Sequence, residues 1–282
     1  MFGRPFEFAL LTLLTSISFP IYASQPTTHL LTVTSELQQG SLVVGNTCRG
    51  CRVEYAGRSL KLTEDGLFVF GLGRNFKDSF RLRLFPPNGH KTDYYFPVKQ
   101  REYDIQFIKG VPQKTVTPDP ADQTRILEDS FLVQNARKGL SDRLDFVSGF
   151  QVPLDGPITG VYGSQRVYNG TPKSPHYGVD YAAETGAIVA APASGIVTLA
   201  DLDLFYSGGT LILDHGFGLT SSFLHLSGIS VKTGQFVERG EPIAKVGSTG
   251  RSTGPHLDWR MNWYNIRIDP QLVLESLPVS FD

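Results

Sequence analysis

The sequence predicts a mainly β protein with a small β-sandwich-like N-terminal domain, a helical linker and a C-terminal domain built on an antiparallel β-sheet. Short alternating apolar runs, broken by Gly, Pro and Asn, fill residues 28–109. Similar β-type runs return after Phe150, and helical spacing occurs between the two parts. The expected divisions are a signal peptide at 1–23, the small β domain at 24–112, the linker at 113–149 and the second β domain at 150–282.

The first 23 residues have the pattern of a secretory signal peptide. Arg4 precedes an apolar run from Phe8 to Ile21, and Ala23 supplies the small residue that a signal peptidase requires. This run is shorter than the roughly 20 residues that cross a bilayer as a helix. We expect export to the periplasm, with secretion into the medium as the alternative, and no membrane span after cleavage. The net charge of −1 gives no indication of a nucleic-acid partner.

The segment SFRLRLF is the clearest strand of the N-terminal part. Phe80, Leu82 and Leu84 would face one side of it, and Arg81 and Arg83 the other. GLFVFG and REYDIQFIKG have similar lengths. Several short strands at regular spacing are typical of a small β-sandwich.

Cys48 and Cys51 are the only two cysteines and form a C-x-x-C pair. Export favours a structural disulfide, which is what we expect. A redox-active pair would need a strand-helix setting, whereas the flanking residues are typical of a β-hairpin. A zinc site would need two further ligands, and His90 is the one nearby candidate.

The linker begins with the Pro-rich segment VPQKTVTPDP. Asp119 and Pro120 are a plausible N-cap and first helical residue, and apolar residues then recur at helical spacing. We expect a helix from about Ala121 to Lys138 that stops at Gly139, and a second short helix around residues 141–146.

Three separated segments of the C-terminal part carry side chains that bind metals. They are SPHYGVDYAA with His176 and Asp180, SSFLHLSG with His225, and PHLDW with His256 and Asp258. Hydrolytic zinc sites use three His or carboxylate ligands and leave a position for water, so such a set could be catalytic. Each segment alone is also compatible with a structural role, and His225 could be a core histidine. We expect a structural role for His215, in the predicted turn LDHGFG.

Together these segments resemble the lysostaphin-type (LytM-type) zinc endopeptidases of peptidoglycan. The resemblance extends from about residue 153 to residue 270 and includes PHYGVDYAAETGAIVAAPASGIV, the run from TLILDHG to PHLDW, and the RIDP tail. It implies a lysostaphin-type peptidase fold for the C-terminal domain. The N-terminal part resembles, in pattern, a β domain that precedes this module in some bacterial envelope members.

The resemblance implies a role for each of the five side chains. His176 and Asp180 correspond to two zinc ligands, and His225 and His256 to the two catalytic histidines. The family's third ligand is the second histidine of an H-x-H motif, and this chain has Asp258 there. A carboxylate can still bind zinc, but a His-Asp-Asp set is formally neutral with a divalent ion and accepts manganese more readily.

Arg260 follows Asp258 by two residues and would share its face of a regular strand. It could compete with a metal for Asp258, orient that carboxylate from behind, or bind a substrate carboxylate. Further candidates for substrate contacts are Tyr168, Asn169 and Tyr206, and the segments GSTGRSTG and YNGTPKS are expected to form walls of a groove.

The expected function is an exported metal-dependent endopeptidase that hydrolyses peptide cross-links in bacterial peptidoglycan. Its cofactor would be one zinc ion, with manganese as the alternative, and its partners the stem peptides. The alternative is a catalytically impaired peptidoglycan-binding regulator whose partner is another cell-wall hydrolase. A carbohydrate-transport role is disfavoured by the signal peptide.

Overall fold

A computed structural model describes residues 30–138 and 141–278. The predicted signal peptide at 1–23 and the predicted helix stop at Gly139 lie outside these residues. The mainly β fold class with antiparallel sheets is confirmed. No helix within the described ranges has the length and apolar character that a membrane crossing requires.

The N-terminal part consists of two antiparallel sheets that enclose an aromatic core. One sheet has the order β1-β2-β5 and the other β4-β3-β6-β7. Tyr55 and Phe70, from different sheets, have ring centroids 4.2 Å apart, and Phe70 and Phe80 are 5.2 Å apart. The strands are β1 (Leu31–Val33), β2 (Leu42–Thr47), β3 (Arg52–Tyr55), β4 (Arg58–Ser59), β5 (Leu67–Gly71), β6 (Ser79–Phe85) and β7 (Thr92–Pro97).

Strand β6 shows why this region folds as a sandwich. Phe80, Leu82 and Leu84 are buried, while Arg81 is exposed and Arg83 is half-buried, as the alternation in SFRLRLF predicts. A disulfide joins Cys48 and Cys51 across the turn between β2 and β3.

The linker contains one long helix that is shorter than the sequence predicts. Strand β8 (Ile105–Ile108) is followed by α1 (Gln113–Val116), a 3₁₀ turn (Pro120–Asp122) and α2 (Gln123–Ala136). Pro120 lies at the start of the 3₁₀ turn rather than of α2, so the long helix begins two residues later than expected. Helix α2 is tied to the C-terminal sheet by a hydrogen bond of 2.7 Å from the Phe205 amide to Asp129.

The predicted second short helix around residues 141–146 is wrong. Residues 141–144 are irregular and residues 145–148 form a turn. The amides of Val147 and Gly149 bond three residues back, and Phe217 donates its amide to the Ser141 carbonyl. Two local turn bonds and one tertiary bond therefore serve this backbone in place of the i→i−4 bonds of a helix.

The C-terminal part is organised around one large antiparallel sheet with the strand order β18-β14-β15-β16-β20-β12-β9, and β21 pairs with β20. A smaller sheet has the order β13-β19-β17. The elements are β9 (Ile158–Gly160), β10 (Gln165–Tyr168), β11 (Thr171–Pro172), β12 (Val179–Ala182), β13 (Ile188–Ala190), β14 (Gly195–Leu204), β15 (Gly208–Gly216), β16 (Leu219–Leu226), β17 (Gly228–Ile229), β18 (Phe236–Val237), β19 (Pro242–Lys245), β20 (His256–Trp263), β21 (Ile266–Ile268) and α3 (Pro270–Ser276). Strands β15 and β16 are buried along their whole length, which explains their unbroken small and apolar character.

The two parts are joined by strand pairing and by a shared core. Strand β8 pairs in parallel with β10, which brings the end of the N-terminal part to the C-terminal fold. Arg101 forms an ion pair of 2.8 Å with the buried Asp269, which also caps α3 by accepting the Gln271 amide. The Phe70 and Trp263 rings are 6.3 Å apart, so the end of β20 packs on the N-terminal sandwich. The domain boundaries at residues 112 and 149 stay a prediction.

Candidate metal centre

Two neighbouring strands bring two carboxylates face to face. Strands β12 and β20 are antiparallel, and their register pairs Asp180 with Asp258 and Ala182 with His256. Like charges directly opposite each other destabilise a sheet, so this pairing requires positive charge nearby. Both carboxylates are buried, with 6% of Asp180 and 1% of Asp258 exposed.

His176 completes the cluster from the loop before β12. Its Nε2 atom lies 3.0 Å from Asp180 Oδ1 and 3.4 Å from Asp258 Oδ1. One ligand atom from each of the three residues lies within 4.8 Å of the others. Ligand atoms around a tetrahedral zinc ion are roughly 3.3 Å apart, given metal bonds of about 2.0–2.2 Å. The cluster therefore has the spacing of a metal site.

The hydrogen bonds of His176 indicate that the cluster requires a cation. Its Nδ1 lies 3.2 Å from the Val161 carbonyl oxygen, which can only accept, so Nδ1 carries the hydrogen. The opposite Nε2 atom and Asp180 Oδ1 are buried without a hydrogen bond. Burial by itself would lower the pKa of His176, but Asp180 and Asp258 outweigh it and raise the pKa. A proton or a metal must separate the ring from the carboxylates, and the N, O, O donor set fits zinc or manganese.

Arg260 binds Asp258 side-on, through two nitrogens. Its Nε donates to Asp258 Oδ1 at 2.9 Å, and the terminal Nη2 donates to Oδ2 at 2.5 Å. Burial would raise the pKa of Asp258, but Arg260 and His176 outweigh it and hold the pKa well below its usual range. Asp258 thus faces both partners: Arg260 contacts both of its oxygens, and Oδ1 also lies toward His176. This arrangement matches an outer residue that orients a ligand carboxylate.

Arg166 plays the same part for Asp180, and the sequence did not indicate it. Its Nη2 is ion-paired with Asp180 Oδ2, and its Nη1 donates to the Tyr168 hydroxyl at 3.0 Å. The two arginines therefore balance the two carboxylates, one to one. Arg166 lies on β10, ten residues before His176, and no local spacing relates it to the H-x-x-x-D motif. The one available signal was the need for a counter-charge to each buried carboxylate.

Two glycines leave space for these ion pairs. A Cβ on Gly178 would lie 2.5 Å from Asp258 Oδ1 and 2.6 Å from Arg260 Cγ. A Cβ on Gly160 would collide with the Asp180 carboxylate and with Arg166. Any side chain at either position would displace a candidate ligand, so both glycines belong to the site's construction.

His225 and His256 lie side by side next to the cluster. Their ring centroids are 4.8 Å apart, and His256 Nε2 is 3.9 Å from Asp180 Oδ1. Each ring binds a backbone carbonyl through Nδ1: Thr249 at 2.8 Å for His225, and Gly254 at 2.8 Å for His256. Both therefore carry hydrogen on Nδ1 and keep Nε2 available to accept a proton.

The backbone of His225 is strained and its ring is buried. Its φ is +65°, a conformation that non-glycine residues seldom adopt and that clusters at functional sites. Burial lowers the pKa of His225 to about 4, so the ring is neutral at pH 7.

By contrast, His215 bonds the Ser194 carbonyl at 2.7 Å and the Ser221 hydroxyl at 2.9 Å inside the core, which agrees with a structural role.

A groove of about 530 Å³ opens beside Asp180 and His256. Residues 251–256, which include the second half of the segment GSTGRSTG, form one wall of the groove. Tyr168 and Arg166 also line the groove. The remaining predicted substrate residues lie elsewhere. Asn169 donates to the Val111 carbonyl at 3.0 Å in a turn, and Tyr206 stacks on Arg251 with 4.7 Å from guanidinium to ring centroid. Arg260 is occupied by Asp258.

Comparison with known proteins points to one family. The family model described as "Peptidase family M23" matches residues 174–270. The peptidoglycan DD-endopeptidase ShyB of Vibrio cholerae is 38% identical over 122 residues, which are 43% of this chain and 26% of ShyB. The DD-carboxypeptidase/endopeptidase Mpg of Neisseria meningitidis is 43% identical over 98 residues, which are 35% of this chain and 21% of Mpg. The chain thus spans about a quarter of the length of these curated relatives.

A solved structure matches over a greater length. A crystal structure of a candidate M23 peptidase from Pseudomonas aeruginosa superposes with a TM-score of 0.66 at 28% identity. The match covers 86% of this chain and 97% of that one, so it includes the N-terminal β part as well as the C-terminal sheet.

Proposed function

We propose that this chain is a metal-dependent endopeptidase that hydrolyses peptide cross-links of bacterial peptidoglycan. The ground is that residues 174–270 belong to peptidase family M23, which is consistent with the lysostaphin type. The cluster of His176, Asp180 and Asp258 carries the proposal. Its two orphaned buried atoms, a ring nitrogen and a carboxylate oxygen, lie 3.0 Å apart and require a proton or a metal ion between them. These three residues would hold a zinc ion, with manganese as the alternative.

The chain's own residues supply the rest of the chemistry. When bound, the metal would polarise the scissile carbonyl and acidify a water molecule. His225 and His256 offer two Nε2 atoms next to that position, each aimed by a carbonyl bond at Nδ1. A neutral His225 can accept the proton of the attacking water and return it to the leaving amine. His256, when protonated on Nε2 as well as on Nδ1, would donate from Nε2 to the oxygen that gains negative charge.

Arg166 and Arg260 would act as positioning residues. Each binds Oδ2 of one candidate ligand carboxylate, and Oδ1 would be the oxygen that faces the ion. Arg260 Nε also donates to Asp258 Oδ1, which would share that oxygen with the ion. They also offset the extra negative charge that Asp258 introduces in place of the family's histidine. They would thereby restore part of the Lewis acidity that a second carboxylate ligand would take from a bound ion.

The substrate class and location are part of the proposal. ShyB is named a DD-endopeptidase, so cross-links that join D-amino acids are the first substrates to test. The disulfide between Cys48 and Cys51 suits an oxidising compartment, which supports export to the periplasm.

A peptidoglycan-binding regulator without turnover is the second candidate. The observation that favours it is the two-nitrogen contact of Arg260 with Asp258, which satisfies that carboxylate without a metal. In this role the same groove would bind stem peptides, and a separate cell-wall hydrolase would cut them.

The deciding experiment measures metal content and product release together. The purified mature chain is expected to bind about one zinc ion per molecule and to release peptides from purified peptidoglycan. His176→Ala should lose both, while His90→Ala, at an exposed position, should lose neither. A wild-type chain that binds peptidoglycan but releases nothing after addition of zinc or manganese would show the regulator instead.

A further inference from the structure

The groove beside the candidate metal centre contains a cation that the metal site does not use. Arg251 lies in the wall of the groove, five residues before His256. Of the charged side chains lining it, Asp180 is already paired with Arg166. Among the described residues, Arg251 has no carboxylate within ion-pair distance, so the lining carries an uncompensated positive charge.

Arg251 is held rigidly. Its guanidinium carbon lies 5.0 Å from the Tyr168 ring centroid and 4.7 Å from that of Tyr206. The backbone amide of Arg251 donates to the Tyr206 carbonyl at 2.8 Å, and one Nη donates to the Thr115 carbonyl at 3.4 Å. These two aromatic contacts and two hydrogen bonds restrict the side chain, which lowers the entropy cost of binding an anion.

The surroundings of Arg251 favour an anion as the ligand. Burial lowers the pKa of Arg251, and the positive charges of Arg260 and Arg166 lower it further. A half-buried cation near two others gains from a negative partner more than an exposed one does. Carboxylates are the planar anions that a guanidinium fork binds with two parallel hydrogen bonds.

Part of the groove's lining is apolar and comes from the N-terminal part. Phe107 and Ile108 at the end of β8, with Val111, line the groove because β8 pairs with β10. Phe107 is 74% exposed, which leaves its ring free to contact a ligand. A ligand with a carboxylate next to a small apolar side chain would match both the charged and the apolar parts of this lining.

We propose that Arg251, in cation–π contact with Tyr168 and Tyr206, binds a carboxylate of the peptide substrate while Phe107 contacts the alkyl group beside it. This inference rests on the proposed function and assigns a substrate-recognition residue to the same groove. The carboxylate is either the free C-terminus of a stem peptide or a carboxylate within the stem.

The test uses synthetic, uncross-linked stem peptides in three forms: free, amidated at the C-terminus, and amidated at the interior carboxylates. Arg251→Met preserves an apolar stem between the rings and removes the charge. It is expected to weaken binding of the free peptide by about 10- to 100-fold in calorimetry, as for loss of a charge-assisted bidentate contact. One of the two amidated forms should bind wild type and variant equally, which identifies the carboxylate. Arg251→Lys should recover part of the loss.

Equal binding of all three peptides by wild type, or an equal loss of all three in Arg251→Met, would overturn the assignment. The equally bound amidated peptide reports that the variant is folded. Cleavage of cross-linked peptidoglycan by wild type is measured separately. If Arg251 discriminates between free and amidated peptides but no cleavage occurs, the peptidase proposal is refuted and the carboxylate subsite is retained. If cleavage occurs but the peptides are bound equally, the subsite is refuted and the peptidase proposal is retained.

Discussion

Arg260→Met is the change that most directly tests how a metal and an arginine share one carboxylate. Arg260 gives Asp258 contacts of 2.9 Å and 2.5 Å, and Asp258 is 1% exposed. The substitution leaves a buried carboxylate with one partner fewer. Removing one member of a buried ion pair costs about 3–5 kcal/mol of folding stability. We expect a loss of that order in protein stripped of metal by a chelator.

A bound metal should reduce this loss, because it supplies Asp258 with another positive charge. If zinc recovers about 2 kcal/mol, linkage requires the variant to bind zinc about 30-fold more tightly than wild type does. Urea unfolding with and without zinc measures the stability that zinc recovers. Competition with a chromophoric chelator measures the ratio of the zinc affinities of variant and wild type.

Arg83→Met is the matched control. Arg83 also contacts a carboxylate, with Nε 2.7 Å from Asp93 Oδ1, but both side chains are solvent-accessible in the N-terminal sandwich. Its replacement should barely change the unfolding midpoint, and zinc should not affect the result. An Arg260→Met loss that is identical with and without zinc, together with unchanged zinc affinity, would refute the shared-carboxylate reasoning.

Three further predictions concern the same strands. Asp258→His restores the family's ligand but leaves Arg260 without its carboxylate, so this variant should bind zinc and have a lower free energy of unfolding. Adding Arg260→Met should raise that free energy again. Loss of zinc binding in the double variant would contradict this expectation. The depressed pKa of His225, about 4 against an ordinary 6.5, means that the unfolded chain takes up a proton first as the pH falls. Metal-free protein should therefore lose about 3 kcal/mol between pH 6.5 and pH 4, and His225→Gln should flatten that slope in unfolding curves. Gly178→Ala should abolish zinc binding because its Cβ would lie 2.5 Å from Asp258 Oδ1, whereas Gly254→Ala, with open space around it, should bind zinc normally.

The sequence alone determined the features that depend on local pattern. The alternation of Phe80, Leu82 and Leu84 predicts the strand that the structure contains, because side-chain period and burial are coupled within one strand. Apolar spacing also predicts helix α2, whose start is displaced by a 3₁₀ turn. Leu127 and Phe131 are exposed there, so in this helix the spacing is not coupled to burial. The H-x-x-x-D and H-x-D segments contain residue types that bind metals, and their resemblance to the lysostaphin type implies His176, Asp180 and Asp258 as the candidate ligand set.

Only the tertiary structure decided how those side chains are neutralised. The sequence suggested that Asp258 would face either a metal or Arg260. In the structure Arg260 contacts both oxygens of Asp258, and Oδ1 also lies toward His176. Arg166 and Arg251 reach the site from β10 and from the loop before β20, across strand pairings that no local spacing encodes. Charge compensation between buried groups acts through space rather than along the chain. For that reason the ligands could be predicted from motifs, while their counter-charges required the assembled sheet.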